Sequence, residues 1–272
     1  MKSVKISQSQ LSVTFLAFIT LLLAGCVTVE SPDSLERNKD PDKALKTYVT
    51  LGVRYLQQRN MEDAARTLKR AYDIDPDDAE VNNALALFYT VENEPEQVQK
   101  HYEAALKEDP EFSTARNNYA AFLFRQKRYE EALEQLKVAV KDYRYTRRYQ
   151  SFENMGFCYL QLGDDKAAEK AFKRALQLNP RLPRSLMEMA DISFTKGDHQ
   201  STDFYVKQLD KLPLKPTARQ LWLEIQLSRV QGDQNKLASL ELALKNLFPL
   251  SPEYKMYQES LSERGVEKKP SE

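Results

Sequence analysis

The chain has 272 residues, with 40 basic and 40 acidic side chains, seven glycines, two cysteines and two histidines. A formal charge of zero argues against a nucleic-acid binder, which carries a basic footprint. Scarce glycine and a charged fraction of 29% favour helices, and roughly 250 residues beyond a leader suit one large domain or an array of repeats.

Residues 1–25 carry Lys2 and Lys5 and no acidic residue, and an apolar run from Leu11 to Leu23 is broken only by Ser12, Thr14 and Thr20. A membrane-spanning helix needs about 20 apolar residues. A basic start, a shorter apolar core and small residues at the cut describe a secretory signal. The stretch Leu23-Ala24-Gly25-Cys26 resembles a bacterial lipobox. That resemblance implies cleavage before Cys26 and a covalent lipid on its sulfur, with no other cofactor. A signal peptide with a chance cysteine, or an uncleaved anchor, is the alternative. Val27 and Thr28 stand where inner-membrane lipoproteins often carry Asp, so the same resemblance implies the periplasmic face of the outer membrane. Loss of Lys2 and Lys5 leaves 38 basic against 40 acidic residues. With Cys26 acylated, Cys158 has no disulfide partner, and a lone thiol in a compartment that permits disulfides is expected to be buried. Residues 26–44, with Pro32, Pro41 and several charges, read as the lipidated N-terminus and a linker.

The remainder repeats. Leu51-Gly52-x-x-Tyr55 is followed by Ala64, Leu68, Ala71 and Pro76, and Leu85-Ala86-x-x-Tyr89 by Val98, Tyr102, Ala105 and Pro110. Tyr119-Ala120-x-x-Leu123 precedes Ala132, Leu136 and Ala139, and Met155-Gly156-x-x-Tyr159 precedes Ala168, Phe172, Ala175 and Pro180. The period is that of the tetratricopeptide (TPR) helix-turn-helix of about 34 residues. Small residues at position 8 (Gly52, Ala86, Ala120, Gly156) let paired helices approach, and proline at position 32 ends the second helix. Clear repeats span 45–78, 79–112, 113–146 and 149–182. Weaker ones span 183–216 and 218–251, because Lys196-Gly197-Asp198 and Gln231-Gly232-Asp233 align with the turn Leu162-Gly163-Asp164. The expected fold is an all-α TPR superhelical solenoid of about six repeats over 45–251. Residues 252–272 supply a short capping helix from Ser251 to Leu261 and a disordered tail from Arg264, since terminal repeats need a polar outer face. An extra two residues in the basic, aromatic stretch Lys141–Tyr149 read as a solvated loop with its tyrosines tucked against neighbouring helices, or as a contact site.

Such an array presents a concave surface lined by first helices. Positions 5, 9 and 12 share a face there. They are Val49, Val53 and Leu56; Asn83, Leu87 and Thr90; Asn117, Ala121 and Phe124; Glu153, Phe157 and Leu160; Met187, Asp191 and Phe194. The row is apolar for a surface that meets water and suggests a groove for a partner's helix or extended segment. Residues Val49, Val53, Leu56, Asn83, Leu87, Asn117, Phe124, Phe157 and Leu160 are the candidate partner-binding set. Packing against the next repeat is the competing role for positions 9 and 12. Asn83, Asn117 and Asn118 suit either a partner's backbone or solvent. No phosphate loop, metal-ligand spacing or nucleophile set is present, so no enzyme activity, catalytic residue, metal or small-molecule substrate is expected. His101 and His199 are expected at the surface, and Trp222 in core or inter-repeat packing.

Three stretches carry a closer resemblance: Ala115–Leu136, Ala175–Asp198, and Leu221–Asp233 together with Asn246–Tyr254. With the lipobox and about six repeats, they resemble the type IV pilus biogenesis and stability lipoproteins, the PilF/PilW family. The last two stretches lie where the TPR pattern is weak, which makes them distinctive. The resemblance implies a pilotin: Cys26 carries the lipid, and the array binds the secretin subunit and promotes its outer-membrane localisation and multimerisation. The alternative is a general outer-membrane TPR adaptor that scaffolds cell-wall enzymes or another envelope complex.

Overall fold

The computed structural model describes residues 40–267, with side chains through Ser262. The leader, Cys26 and most of the expected linker therefore lie outside the described residues. Thirteen α-helices and no strand occur among those described. They pair as α1 Pro41–Gln57 with α2 Met61–Ile74, α3 Ala79–Glu92 with α4 Pro95–Glu108, α5 Ser113–Arg125 with α6 Tyr129–Ala139, α7 Arg148–Gln161 with α8 Asp165–Leu178, α9 Pro183–Thr195 with α10 His199–Asp210, and α11 Ala218–Gln231 with α12 Gln234–Leu247, followed by α13 Pro252–Glu267. The six pairs make the expected all-α TPR solenoid. Two edges differ. Helix α1 begins at Pro41, inside the expected linker, because Asp40 caps it by accepting from the Asp42 N–H at 3.1 Å and proline suits the first helical turn. Helix α13 continues to Glu267, past the start of the expected tail.

The first four pairs close through a small residue facing a large one. A Cβ on Gly52 would sit 2.5 Å from Leu68 Cδ2, and one on Gly156 2.5 Å from Phe172 Cε1. The matching positions hold Ala86 opposite Tyr102 and Ala120 opposite Leu136. Leu68, Tyr102, Leu136 and Phe172 are all buried. Burying a large apolar side chain contributes about 1.5–3 kcal/mol, and the spacing of one small and one large residue per repeat distributes that gain along the array.

The turns inside the repeats have one shape. Arg59, Asn93, Lys127, Gly163, Gly197 and Gly232 all sit at positive φ, between 58° and 76°. The next residue is the N-cap of the second helix. Asn60, Asp164, Asp198 and Asp233 cap it, accepting from the N–H groups of Asp63, Ala167, Ser201 and Lys236. The left-handed region costs an ordinary L-residue about 1–2 kcal/mol and glycine nothing comparable. Lys127→Gly is therefore expected to stabilise the array by up to about 1 kcal/mol after glycine's larger unfolded-state entropy is subtracted, while Asn93→Gly changes little because Asn tolerates this region. Urea midpoints test this; a lower midpoint for Lys127→Gly contradicts it.

The repeats end as the prolines require. Asp75, Asp109 and Asn179 are extended at the C-caps of α2, α4 and α8, and each precedes a proline, which disfavours helix in the residue before it. Repeat three lacks that proline. Its helix α6 stops after eleven residues, and the inserted loop is tied down by Asp142, which accepts from Ser113 Oγ and the Arg144 N–H, each at 3.0 Å. Tyr145 and Tyr149 are half-buried there. Tyr143 departs from the expectation: it is 87% exposed, with the Arg148 guanidinium 5.9 Å from its ring. At the C-terminus, Tyr254 and Tyr257 of α13 close the apolar cluster around Leu221, Ile225 and Leu244, and Trp222 lies edge-on to Tyr257.

Candidate functional site

The first helices α1, α3, α5, α7 and α9 carry the candidate row, and the structure divides it. Val49 is 9% exposed and packs with Leu45, Leu68 and Val81; it belongs to the core. Val53 and Leu56 lie over the same cluster and stay half-buried, as does Leu87. Phe124 is half-buried and edge-on to Tyr129, with ring centroids 5.2 Å apart. Phe157 is edge-on to Phe172 at 5.1 Å, and the Arg184 guanidinium stacks over its ring at 4.0 Å. Leu160 packs on the cluster of Ala168, Phe172 and Met189. Packing on the next layer and partial exposure coexist at these positions, because a side chain at a groove floor shows one flank to its neighbours and the other to the groove.

The asparagines do something the sequence reading did not separate. Asn83 and Asn117 are 8% and 7% exposed. Asn118 Nδ2 donates to Asn83 Oδ1 at 3.1 Å. Ser151 Oγ and Asn154 Nδ2 donate to Asn117 Oδ1 at 3.0 and 3.2 Å, and Ser185 Oγ donates to Glu153 Oε1 at 2.8 Å. Position 5 of repeats two, three and four is thus an acceptor facing the next repeat. These polar bonds set the register between consecutive first helices, and a buried carboxamide left without them would cost about 1–3 kcal/mol. The role open to Asn83 and Asn117 is inter-repeat bonding rather than contact with solvent. An acceptor at position 5 recurring through the repeats, met by a donor in the next, is the signal that would have found the ladder.

Both histidines lie deeper than expected. His101 is 6% exposed, stacks on Tyr89 at 5.3 Å and lies 2.9 Å through Nδ1 from Asn82 Oδ1. Asn82 Nδ2 donates to the Pro76 and Asp78 carbonyls, which orients the carboxamide and makes His101 Nδ1 the donor. Burial, with the neighbouring Lys100 charge, holds the His101 pKa below its ordinary value. His199 is half-buried, its ring 5.4 Å from that of Phe194. Cys158 is buried as expected, and burial pushes its thiol up to about 12, so it stays protonated and unreactive. No group of His, Cys, Asp and Glu among the described residues could hold a metal ion.

The tetratricopeptide repeat family model matches residues 49–97 and 111–181. The type IV pilus assembly protein PilF of Pseudomonas aeruginosa is 37% identical over 236 residues, covering 87% of this chain and 93% of that protein. A solved structure of Pseudomonas aeruginosa PilF superposes with a TM-score of 0.78 at 36% identity, over 82% of this chain and all of that one. The structure of PilW, a widely conserved type IV pilus biogenesis factor, shares the fold with a TM-score of 0.67 at 24% identity, over 79% of this chain and 98% of that one. The architecture is a TPR scaffold, which works by binding protein partners rather than by catalysis. By identity and by coverage, the chain belongs to the PilF family of type IV pilus biogenesis TPR proteins.

Proposed function

We propose that the protein is an outer-membrane lipoprotein that acts as a pilotin: Cys26 carries the lipid on the periplasmic face, and the concave row binds the type IV pilus secretin subunit. The observation that supports this most directly is the run of partly buried apolar side chains Val53, Leu56, Leu87, Phe124, Phe157 and Leu160, each keeping some exposure, on consecutive first helices. A row of that kind suits an amphipathic helix or an extended segment laid across the repeats. Membership of a pilus biogenesis family supports a partner from the pilus machinery, and the lipobox-like stretch ahead of Cys26 supports a tether. A tether raises the local concentration of a bound secretin subunit at the membrane where it multimerises.

Leu87→Glu and Phe124→Glu place a charge on the row without emptying a fully buried site. Each is expected to cut secretin recovery at least tenfold in a pull-down from detergent-solubilised envelopes, with the helical circular dichroism retained. Recovery of secretin at the unaltered level by a folded variant would exclude the row as its binding surface. Recovery of cell-wall synthases or hydrolases without secretin would mark a general envelope adaptor instead.

A further inference from the structure

The second helices carry a charge pattern of their own. Repeat positions 18, 22 and 26 are four residues apart and share one face of the second helix. Repeats one to three open this row with Glu62, Glu96 and Glu130. Repeat five has Gln200, Phe204 and Gln208 there, and repeat six has Asn235, Ser239 and Ala243. Repeat four alone has three cations, Lys166, Lys170 and Arg174 on α8. All three are exposed, and none has a carboxylate within ion-pair distance among the described residues. Arg174 Nη1 donates to Gln177 Oε1 at 2.9 Å, which leaves the other donors of its guanidinium open.

These cations edge a groove of about 830 Å³ formed by α7 and α8. Its floor is Phe152, Met155 and Tyr159, partly buried and spaced three and four residues apart along α7. Met155 and Tyr159 rest on the cluster that holds Leu133, Leu136 and Cys158, which fixes the floor from below. At the end nearest the inserted loop, the Arg148 guanidinium stands 5.9 Å from the Phe152 ring. The charged lining is four cations, Lys166, Lys170, Lys173 and Arg174, against the single acid Glu169. That acid is already neutralised, since Lys173 and Lys196 both pair with it.

The matching groove over α3 is smaller, at about 310 Å³, and its Lys69 is held by Asp73 at 2.8 Å. A wide groove with unpaired cations is therefore a property of repeat four rather than of the fold. The groove shares no residue with the candidate row, because Phe157 and Leu160 lie on another flank of α7.

We infer that this groove docks a helix of a protein partner that carries Asp or Glu at every fourth position beside an apolar stripe. Four residues of helix rise about 6 Å, so carboxylates one turn apart on the incoming helix match the spacing of Lys166, Lys170 and Arg174. Its apolar stripe, recurring every three or four residues, lies over Phe152, Met155 and Tyr159 in the helix-in-groove manner. A basic helix meets no unpaired acid in the lining. A flat anionic lipid surface could reach the three cations but not the recessed floor, and the floor favours a polypeptide. The inference stands on repeat four and holds whichever partner occupies the first-helix row.

The test is selection of phage-displayed random hexadecapeptides on the complete mature chain, in parallel with its Lys166→Ser/Lys170→Ser/Arg174→Ser variant. Peptides retained by the first and not by the second are expected to carry Asp or Glu four residues apart, with Leu, Ile, Phe or Met three or four residues from them. In fluorescence anisotropy they should bind the triple variant at least tenfold more weakly, weaken with added salt, and bind Leu87→Glu/Phe124→Glu as they bind the unaltered chain. The three replaced side chains are exposed, so the variant should keep its urea midpoint. Peptides with Asn and Gln in place of Asp and Glu should lose the same tenfold against the unaltered chain, a control that needs no protein variant. Overturning results are the absence of any peptide that distinguishes the two chains, selected peptides without the acidic spacing, or affinity indifferent to the amide replacement. Phosphatidylglycerol vesicles are the counter-probe: if they bind through the three cations while no acidic peptide is selected, the face meets lipid and the inference falls.

Discussion

Gly156→Ala is expected to destabilise the fourth repeat by about 2 kcal/mol, against the sign that helix propensity alone assigns. In an open helix interior the same change stabilises by about 0.5–1 kcal/mol. Here the new Cβ would stand 2.5 Å from Phe172 Cε1 and 2.6 Å from Cζ. Phe172 is fully buried among Ala168, Met189 and Leu160, so its ring cannot move aside without repacking α8 and α9. Overpacking a filled core costs about 1–3 kcal/mol. The companion change decides the cause. Phe172→Leu alone leaves a cavity and costs about 1–2 kcal/mol, but together with Gly156→Ala it recreates the Ala120–Leu136 pairing that repeat three already uses. The double variant should be more stable than the two single effects predict, with a coupling of about 1–2 kcal/mol. Urea unfolding followed by circular dichroism measures the cycle, and hydrogen exchange locates the loss in α7 and α8, since repeat arrays unfold in parts. Strict additivity would mean that the glycine is kept for some reason other than the ring it faces.

The second large effect is on location. Cys26→Ser is expected to move the protein wholly from the membrane pellet to the soluble fraction and to remove the lipid mass from its N-terminal peptide. The basis is arithmetic on acyl chains: each buried CH₂ contributes about 0.8 kcal/mol, one chain gives marginal binding, and more than one gives a stable anchor. Among the described residues no helix is long and apolar enough to cross a membrane, so the described array offers no helical span to take the anchor's place. Mass spectrometry of the N-terminus, with a carbonate wash of the membranes, checks both parts. A Cys26→Ser protein that stays in the washed pellet and keeps residues 1–25 would identify an uncleaved anchor and remove the tether from the proposed function. Secretin multimerisation should fail in the soluble variant even where binding survives, because the local concentration at the membrane is lost.

The turns show how far reading by residue type reaches. Gly163, Gly197 and Gly232 were enough to align the three C-terminal turns, since a glycine beside an Asp marks a left-handed residue before an N-cap. Arg59, Asn93 and Lys127 take the same conformation without announcing it, so the first three turns followed only from the period. The row on the first helices was legible for the same reason, a helical spacing. Its division was not. Val49, Asn83 and Asn117 differ from Leu87 and Phe124 in which neighbour they meet, and neighbours of α3, α5 and α7 lie 30 or more residues away in the chain. The burial of His101 likewise rests on a contact outside its own helix: its partner Asn82, 19 residues earlier, is on the other helix of the pair.

Residue order alone carries the repeat period, the helix pairing, the small residue at position 8 of the first four repeats, the resemblance to a pilus family, and the candidate lipid site at Cys26. These are local or periodic quantities, set by residue size, backbone freedom and spacing along one helix. It took the packed array to show which of the first-helix side chains remain accessible, that the position 5 acceptors face the next repeat, and that Arg219 with Glu188 and Asp191 replaces that ladder at Met187. Those depend on how successive repeats are rotated and on the loop lengths between them, and a packing angle between elements far apart in the chain leaves no periodic trace in either one.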